Sequence, residues 1–554
     1  MTPLAFALSL LVAAGPSARP ASALSAPRPR LVVVVVVDQM RADYIDRYGH
    51  RWTGGLRRLL DQGAVFPQAA FPYLTTLTCV GHATVATGTL PRTHGIPANQ
   101  WWDRDSGKSV TCTEDPAAPL VPYGTGSPSG GESALRLRVA TFADELRAQA
   151  GTPPRVVTLS LKPRSAIMLA GHRGDAVLWS VNAQTWASST AFSPTASPAV
   201  AELVKDRLPE AALGRVWNRL LAPDAYLFDD DAAGERPPAG WTRTFPHPLR
   251  GENGEPDAGF YTRWTDSPYA DEALGAMAGA AVAKLGLGRG PGTDYLGVSF
   301  STLDLVGHAF GPRSHEVQDI LLRLDATLGR LLAELDRLVG REHYLLALTA
   351  DHGVAPVPEQ VALAGIDAGR IDTAEVRARI EKALAAWLGP GPHLAWAPYT
   401  EVYFAPGVME KLRQMPEALR AAVEAAGSAP GVGRVLVGAE LAQGSAADDP
   451  LALVAARSYV PGRSGDLVLL PKAYWIPTSS GTTHGTLYQY DSRVPLLLAG
   501  PGIKAGSYLG PATPADIAPT LAYLTGITLA RTDGRVLSEA LRPPAAAAKP
   551  APGR

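Results

Sequence analysis

Residues 31–37 read Leu-Val-Val-Val-Val-Val-Val and stop at Asp38. A run this apolar and β-branched leaves no face for water. It is the pattern of a strand buried on both sides in a parallel sheet, not of a half-exposed antiparallel one. Both faces then need helices over them, so this one run commits the chain to a layered α/β architecture. Apolar runs at 155–161, 295–300, 344–349 and 494–498 read as further strands, with 64–69 as a short one. Helical spacing is found at 56–62, 139–149, 272–284, 317–339 and 515–524.

In an open α/β sheet, ligands gather at the carboxyl ends of the strands. Asp38 falls at such an end, although it could instead cap a helix starting near Met40. The strand 295–300 runs into Ser301-Thr302-Leu303-Asp304-Leu305-Val306-Gly307-His308. Four residues of separation bring Asp304 and His308 to one side of a helical turn or tight loop, able to grip one metal. Asp351-His352-Gly353 ends the strand 344–349, and His484 lies in a later loop. These six oxygen and nitrogen ligands are enough for two divalent ions, and the absence of thiolate favours catalytic zinc over manganese. Lys162-Pro163-Arg164 follows the strand 155–161; the proline is expected to keep both cations on a loop, where they suit an anion with several oxygens.

Thr75, Thr76 and Thr78 precede a short segment of small residues that Gly88 stops. Hydroxyls there either cap the helix or look into its N-terminus, where unpaired N–H groups favour an anion. Residues alone leave the choice open.

With 554 residues the chain exceeds one ordinary core, so a large domain with a substantial insertion is expected. Lys plus Arg total 51 against 52 Asp plus Glu, which leaves no electrostatic footprint for nucleic acid or an anionic membrane. Residues 1–23 read as an export signal: an apolar run too short to span a bilayer, then Ala21-Ser22-Ala23. Cys79 and Cys112 are the only cysteines, either one bridge or two separate thiols. Residues 185–270 read as an insertion of loops and short helices, 355–465 as a cap with helices at 373–388 and 406–426, 466–470 as a return to the sheet, and 543–554 as a disordered tail.

Taken in order, Val37-Asp38-Gln39-Met40-Arg41, Thr78 with Gly81-His82, His94-Gly95-Ile96 leading to Asn99, Ser160 to Arg164, Asp304 with Gly307-His308, Asp351-His352-Gly353, Thr483-His484-Gly485 and Asp516 to Thr520 resemble the alkaline phosphatase superfamily. Within it the chain is similar to the type I phosphodiesterase/nucleotide pyrophosphatase group and to PafA-type bacterial alkaline phosphatases, from about Val32 to Leu541. The resemblance implies an alkaline-phosphatase-like sandwich: a catalytic domain from 24–354 and 466–542, with the inserted cap. It implies two zinc ions, one held by Asp38, Thr78, Asp351 and His352 and the other by Asp304, His308 and His484. It selects Thr78 as nucleophile, forming a phosphothreonine, with Asn99, Lys162 and Arg164 on the phosphoryl oxygens. The cationic pair fits the extra charge of a monoester over a diester. The expectation is therefore an exported monomer hydrolysing small phosphate monoesters, best at alkaline pH, with no nucleic-acid or membrane partner. The alternative is a phosphodiesterase or nucleotide pyrophosphatase using the same threonine and metals.

Overall fold

A computed structural model describes residues 28–124, 128–205, 207–443 and 448–543. The expected export signal and all but the first residue of the expected tail lie outside them. The strand Leu31–Val37 is at the centre of the main sheet. It pairs in parallel with Asp294–Phe300 on one side and Tyr344–Thr349 on the other. Val156–Ser160 and Ala176–Val181 continue the parallel set beyond Asp294–Phe300. Leu496–Ala499 runs antiparallel along Tyr344–Thr349. The expected strand at 64–69 is only Ala64–Val65, because Pro67 interrupts it.

Alternation along the central strand explains its composition. Leu31, Val33, Val35 and Val37 enter one hydrophobic core, and Val32, Val34 and Val36 the other. Helices cover both layers: His315–Leu338, Pro268–Lys284 and Gly55–Gln62 lie against one face, and Phe142–Gln149 and Ile517–Thr525 against the other.

Several elements depart from the sequence reading. Pro163 does not hold Lys162 and Arg164 on a loop. It opens the helix Pro163–Ala170, with Lys162 at its N-cap, since a proline in the first turn lacks only an N–H that had no partner there. The helix expected at 406–426 is two, Val408–Gln414 and Pro416–Gly427, broken where Pro416 cannot continue the ladder. Most consequentially, Leu467–Pro471 does not return to the central sheet. It pairs with Glu401–Phe404 and Val432–Val437 in a separate four-stranded sheet with its own apolar core.

Cys79 and Cys112 form a disulfide across 33 residues of sequence. In the chain-entropy account, closing such a loop stabilises the fold by about 3 to 4 kcal/mol.

Candidate active site

Parallel strands bring their carboxyl ends to one edge, and the chemistry collects there. Asp38 directly follows the central strand, with its N–H bonded to the Phe300 carbonyl. No helix uses it as a cap; the next one, Asp43–Tyr48, begins after Ala42. Asp351 and His352 follow the neighbouring strand, and all three side chains are fully buried. His352 Nε2 lies 3.4 Å from both Asp38 Oδ1 and Asp351 Oδ2, and 3.3 Å from Thr78 Oγ1.

The second group adjoins the first. Asp304, on the helix Thr302–Phe310, has Oδ1 3.2 Å from His308 Nε2 and 3.8 Å from His484 Nε2. The His484 ring stacks on that of His352 with centroids 3.5 Å apart. Ligand atoms of Asp38, Asp351 and His352 all lie within 4.8 Å of one another, as do those of Asp304, His352 and His484. His352 thus touches both groups. His308 reaches the second through Asp304, and its side chain, 35% exposed, marks where the site opens to solvent.

Each imidazole is oriented in the same way. Nδ1 of His308 lies 2.8 Å from the Thr482 carbonyl, that of His352 2.9 Å from Gly353 O, and that of His484 2.8 Å from Thr76 O. A proton on Nδ1 satisfies each carbonyl and turns the Nε2 lone pair inward, the tautomer a metal needs. Burial pushes the pKa of His352 and His484 down, which keeps both rings neutral. Two buried carboxylate oxygens facing them, Asp38 Oδ1 and Asp351 Oδ2, have no hydrogen-bond partner. Buried acceptors converging on lone pairs with no proton between them are costly unless a cation lies among them. The donor set therefore fits divalent metal.

Lys162 is the charge already in place. Its Nζ donates to Asp38 Oδ2 at 2.6 Å and to Asp304 Oδ2 at 2.5 Å. Burial acts to raise the Asp304 carboxyl, but Lys162 and His308 hold it well below the ordinary range. Asp38 is instead raised by burial and by repulsion from Asp304 and Asp351.

Thr78 opens the helix Thr78–Thr87, which is buried throughout. None of the threonines caps it: the N-cap is Leu77, and the Thr76 hydroxyl donates to the Thr486 carbonyl. Gly81 lets this helix lie on the Asp351 loop, since a Cβ there would stand 2.1 Å from Asp351 O. Asn99 accepts the Cys79 N–H on Oδ1 at 2.8 Å, which leaves its amide N–H groups as the donors available to a ligand. Arg164 lies in the first turn after Lys162, half-buried.

Four residues near the site had no assigned role from sequence. Gln39 has a left-handed backbone (φ 69°), donates its N–H to Asp351 Oδ1 at 3.1 Å, and donates Nε2 to Asp304 Oδ1 at 2.7 Å. It ties the two groups together, and a Cβ on Gly307 would clash with its Oε1. His82 Nδ1 hydrogen-bonds the Thr78 carbonyl at 2.8 Å and stands 3.2 Å from Asp351 Oδ2, so its ring lies against both the Thr78 turn and the Asp351 carboxylate. Tyr399, also left-handed at φ 51°, hydrogen-bonds Thr483 Oγ1 at 2.7 Å and donates to His484 O, bracing that loop. Burial beside Asp304 pushes Asp266 up to about 7. The only sequence signal was the motif context of Gln39 and His82. Because partners that orient ligands matter about 10- to 100-fold, Gln39→Ala is expected to weaken metal retention by about that factor, read as metal content after graded chelation; unchanged retention would reduce Gln39 to a packing residue.

Comparison with known proteins agrees with this geometry. The family model described as type I phosphodiesterase/nucleotide pyrophosphatase matches residues 32–490. Alkaline phosphatase PafA of Elizabethkingia meningoseptica is 32% identical over 546 residues, covering 95% of this chain and 97% of its own. Its solved structure superposes with a TM-score of 0.86 at 30% identity, covering 93% and 99% of the two chains. A second PafA structure carries substitutions at one threonine, one asparagine, one lysine and one arginine. Alkaline phosphatase PhoK of a Sphingomonas species is 32% identical over 538 residues (93% of this chain, 92% of that one). A Myroides odoratus protein named a calcium-transporting ATPase is 31% identical over 520 residues (90% and 92%); among the described residues here, no helix is long and apolar enough to cross a membrane. Matched over most of its length in sequence, and sharing the PafA fold from the central sheet outward, the chain belongs to the type I phosphodiesterase/nucleotide pyrophosphatase family.

Proposed function

We propose that this protein is a metal-dependent alkaline phosphatase that hydrolyses phosphate monoesters through a phosphothreonine at Thr78. The carrying observation is the contact of Thr78 Oγ1 with the neutral, pre-oriented imidazole of His352, whose Nε2 in turn faces the buried oxygens Asp38 Oδ1 and Asp351 Oδ2 that lack a hydrogen-bond partner. Asp38, Thr78, Asp351 and His352 would hold one zinc, and Asp304, His308 and His484 the other. Bound there, the ions supply Lewis acidity that favours an ionised threonine hydroxyl and charge on the leaving oxygen.

Thr78 Oγ1 attacks phosphorus, the bond to the leaving alcohol breaks, and phosphate is held on the protein as an ester. Water then attacks from the opposite side, returns the threonine hydroxyl and releases inorganic phosphate. Asn99, Lys162 and Arg164 donate to the non-bridging oxygens as charge shifts among them. That the PafA variant named above is altered at these four residue types supports the assignment. Export is part of the reading, supported by residues 1–23 and by a disulfide that an oxidising compartment would preserve.

The family description favours one second reading, a diesterase on the same threonine and metals. Initial rates on a p-nitrophenyl monoester and the matching diester decide between them. The monoester is expected to be preferred, and a diester preference above about tenfold would overturn the proposal, since a second substituent removes the charge that the cationic pair recognises. Lys162→Ala with Arg164→Ala should then lower monoester kcat/KM by about 100-fold or more, as lost charge-assisted contacts do, and diester turnover much less. Equal losses would make the pair merely structural.

A further inference from the structure

The Cys79–Cys112 bridge begins at the residue after Thr78 and ends beside Asn99. Gln100–Asp103 and Lys108–Thr111 form a hairpin with Gln100 opposite Thr111, so positions 99 and 112 are its open end. Asn99 stands between the two cysteines. Its carbonyl accepts the Cys112 N–H at 2.9 Å, and its side-chain oxygen accepts the Cys79 N–H at 2.8 Å. One covalent link and two hydrogen bonds thus join the first turn of the Thr78 helix to the base of a hairpin. Both cysteines are at most 1% exposed.

We propose that this bridge is a positioning device for the reaction, setting the Asn99 amide against the Thr78 hydroxyl. The inference rests on the roles given to those two residues above. An attacking oxygen and a donor to a non-bridging oxygen of the same phosphoryl group must keep a separation matched to the tetrahedral phosphorus. Hydrogen bonds alone would let the hairpin hinge about its open end. The disulfide closes that hinge where the backbone enters the helix, and because Asn99 Oδ1 is bonded to the same segment, whatever moves the hairpin also turns the amide. A bridge that served stability alone could join any two buried positions and would need no bond to Asn99.

A double-mutant cycle on the full zinc-loaded chain tests this. Cys79→Ala with Cys112→Ala is made in the presence of Asn99 and in an Asn99→Ala background. Turnover is read on whichever p-nitrophenyl ester, mono or di, the unsubstituted chain hydrolyses faster, so the preferred ester judges the proposed function and the cycle judges the bridge. Affinity for inorganic phosphate, by calorimetry on the same four proteins, repeats the cycle without turnover. Misplacement by about 1 Å costs on the order of 100-fold, so loss of the bridge is expected to lower kcat by about 10- to 100-fold with Asn99 present. With alanine at 99 the loss should be under about twofold, and phosphate affinity should follow the same pattern. Equal losses in both backgrounds, or none in the first, would overturn the proposal whatever happens to the unfolding temperature. Should the alanine pair fail to fold by circular dichroism, Cys79→Ala with Cys112→Val refills part of the lost volume and is read by the same two criteria.

Discussion

Thr78→Ala is expected to lower kcat/KM by about four orders of magnitude or more, the scale seen when a nucleophile acting as part of a unit is removed, with metal content and fold retained. The substitution deletes one hydroxyl and one methyl from a buried helical turn whose placement depends on other contacts: Gly81 against Asp351, the Cys79 N–H on Asn99, and His82 on the Thr78 carbonyl. Thr76 is the nearest alternative, and its hydroxyl is committed to the Thr486 carbonyl at 2.8 Å. Thr78→Ser keeps an oxygen but loses the methyl that restricts its rotamer, so it should fall between the two. Steady-state kinetics with metal analysis on each variant is the measurement. An alanine variant that keeps its metal and its turnover would move the nucleophile elsewhere and end the phosphothreonine reading.

What the chain discloses about this site follows from its central strand. A long β-branched run with no polar face fits a strand covered on both sides in a parallel sheet, parallel strands share a carboxyl edge, and Asp38, Asp304 and Asp351 could be assigned to that edge from sequence. Residues brought in by backbone conformation or distant packing were not visible. Gln39 braces both carboxylate groups only because its backbone is left-handed, which a glutamine does not announce. Tyr399 reaches His484 from far along the chain. Proline has two meanings: Pro163, between two cations after a strand, has the context of a break but starts a helix, and Pro416, inside a helical pattern, divides two. Leu467–Pro471 has the composition of a buried strand, and composition cannot say which of two sheets will pair with it.

Stripping the metal is expected to abolish turnover, with recovery on adding zinc, and also to destabilise the fold in a way that depends on Lys162. Three buried carboxylates face one another here, and repulsion from Asp304 and Asp351 helps raise Asp38. Without divalent ions, Lys162 is the cation bonded to both Asp38 and Asp304. A ligand at about 1,000 times its Kd stabilises by about 4 kcal/mol, which is about 3 to 4 °C in a chain of this size, so chelating two such ions should lower the unfolding temperature by about 7 °C. In Lys162→Ala the drop should be larger, because removing metal then leaves the carboxylates with neither kind of counter-charge, and removing one partner of a buried charged set is strongly destabilising. With zinc bound, the same substitution should change the unfolding temperature little while still lowering monoester turnover. The comparison therefore separates two jobs of one side chain: electrostatic support of the metal-free site and contact with substrate. Calorimetry of both proteins, with and without chelator, gives all four transitions. If chelation shifts both by the same amount, Lys162 does not share its carboxylates with the metal. If it shifts neither and turnover persists, the cluster around Thr78 is not a metal site.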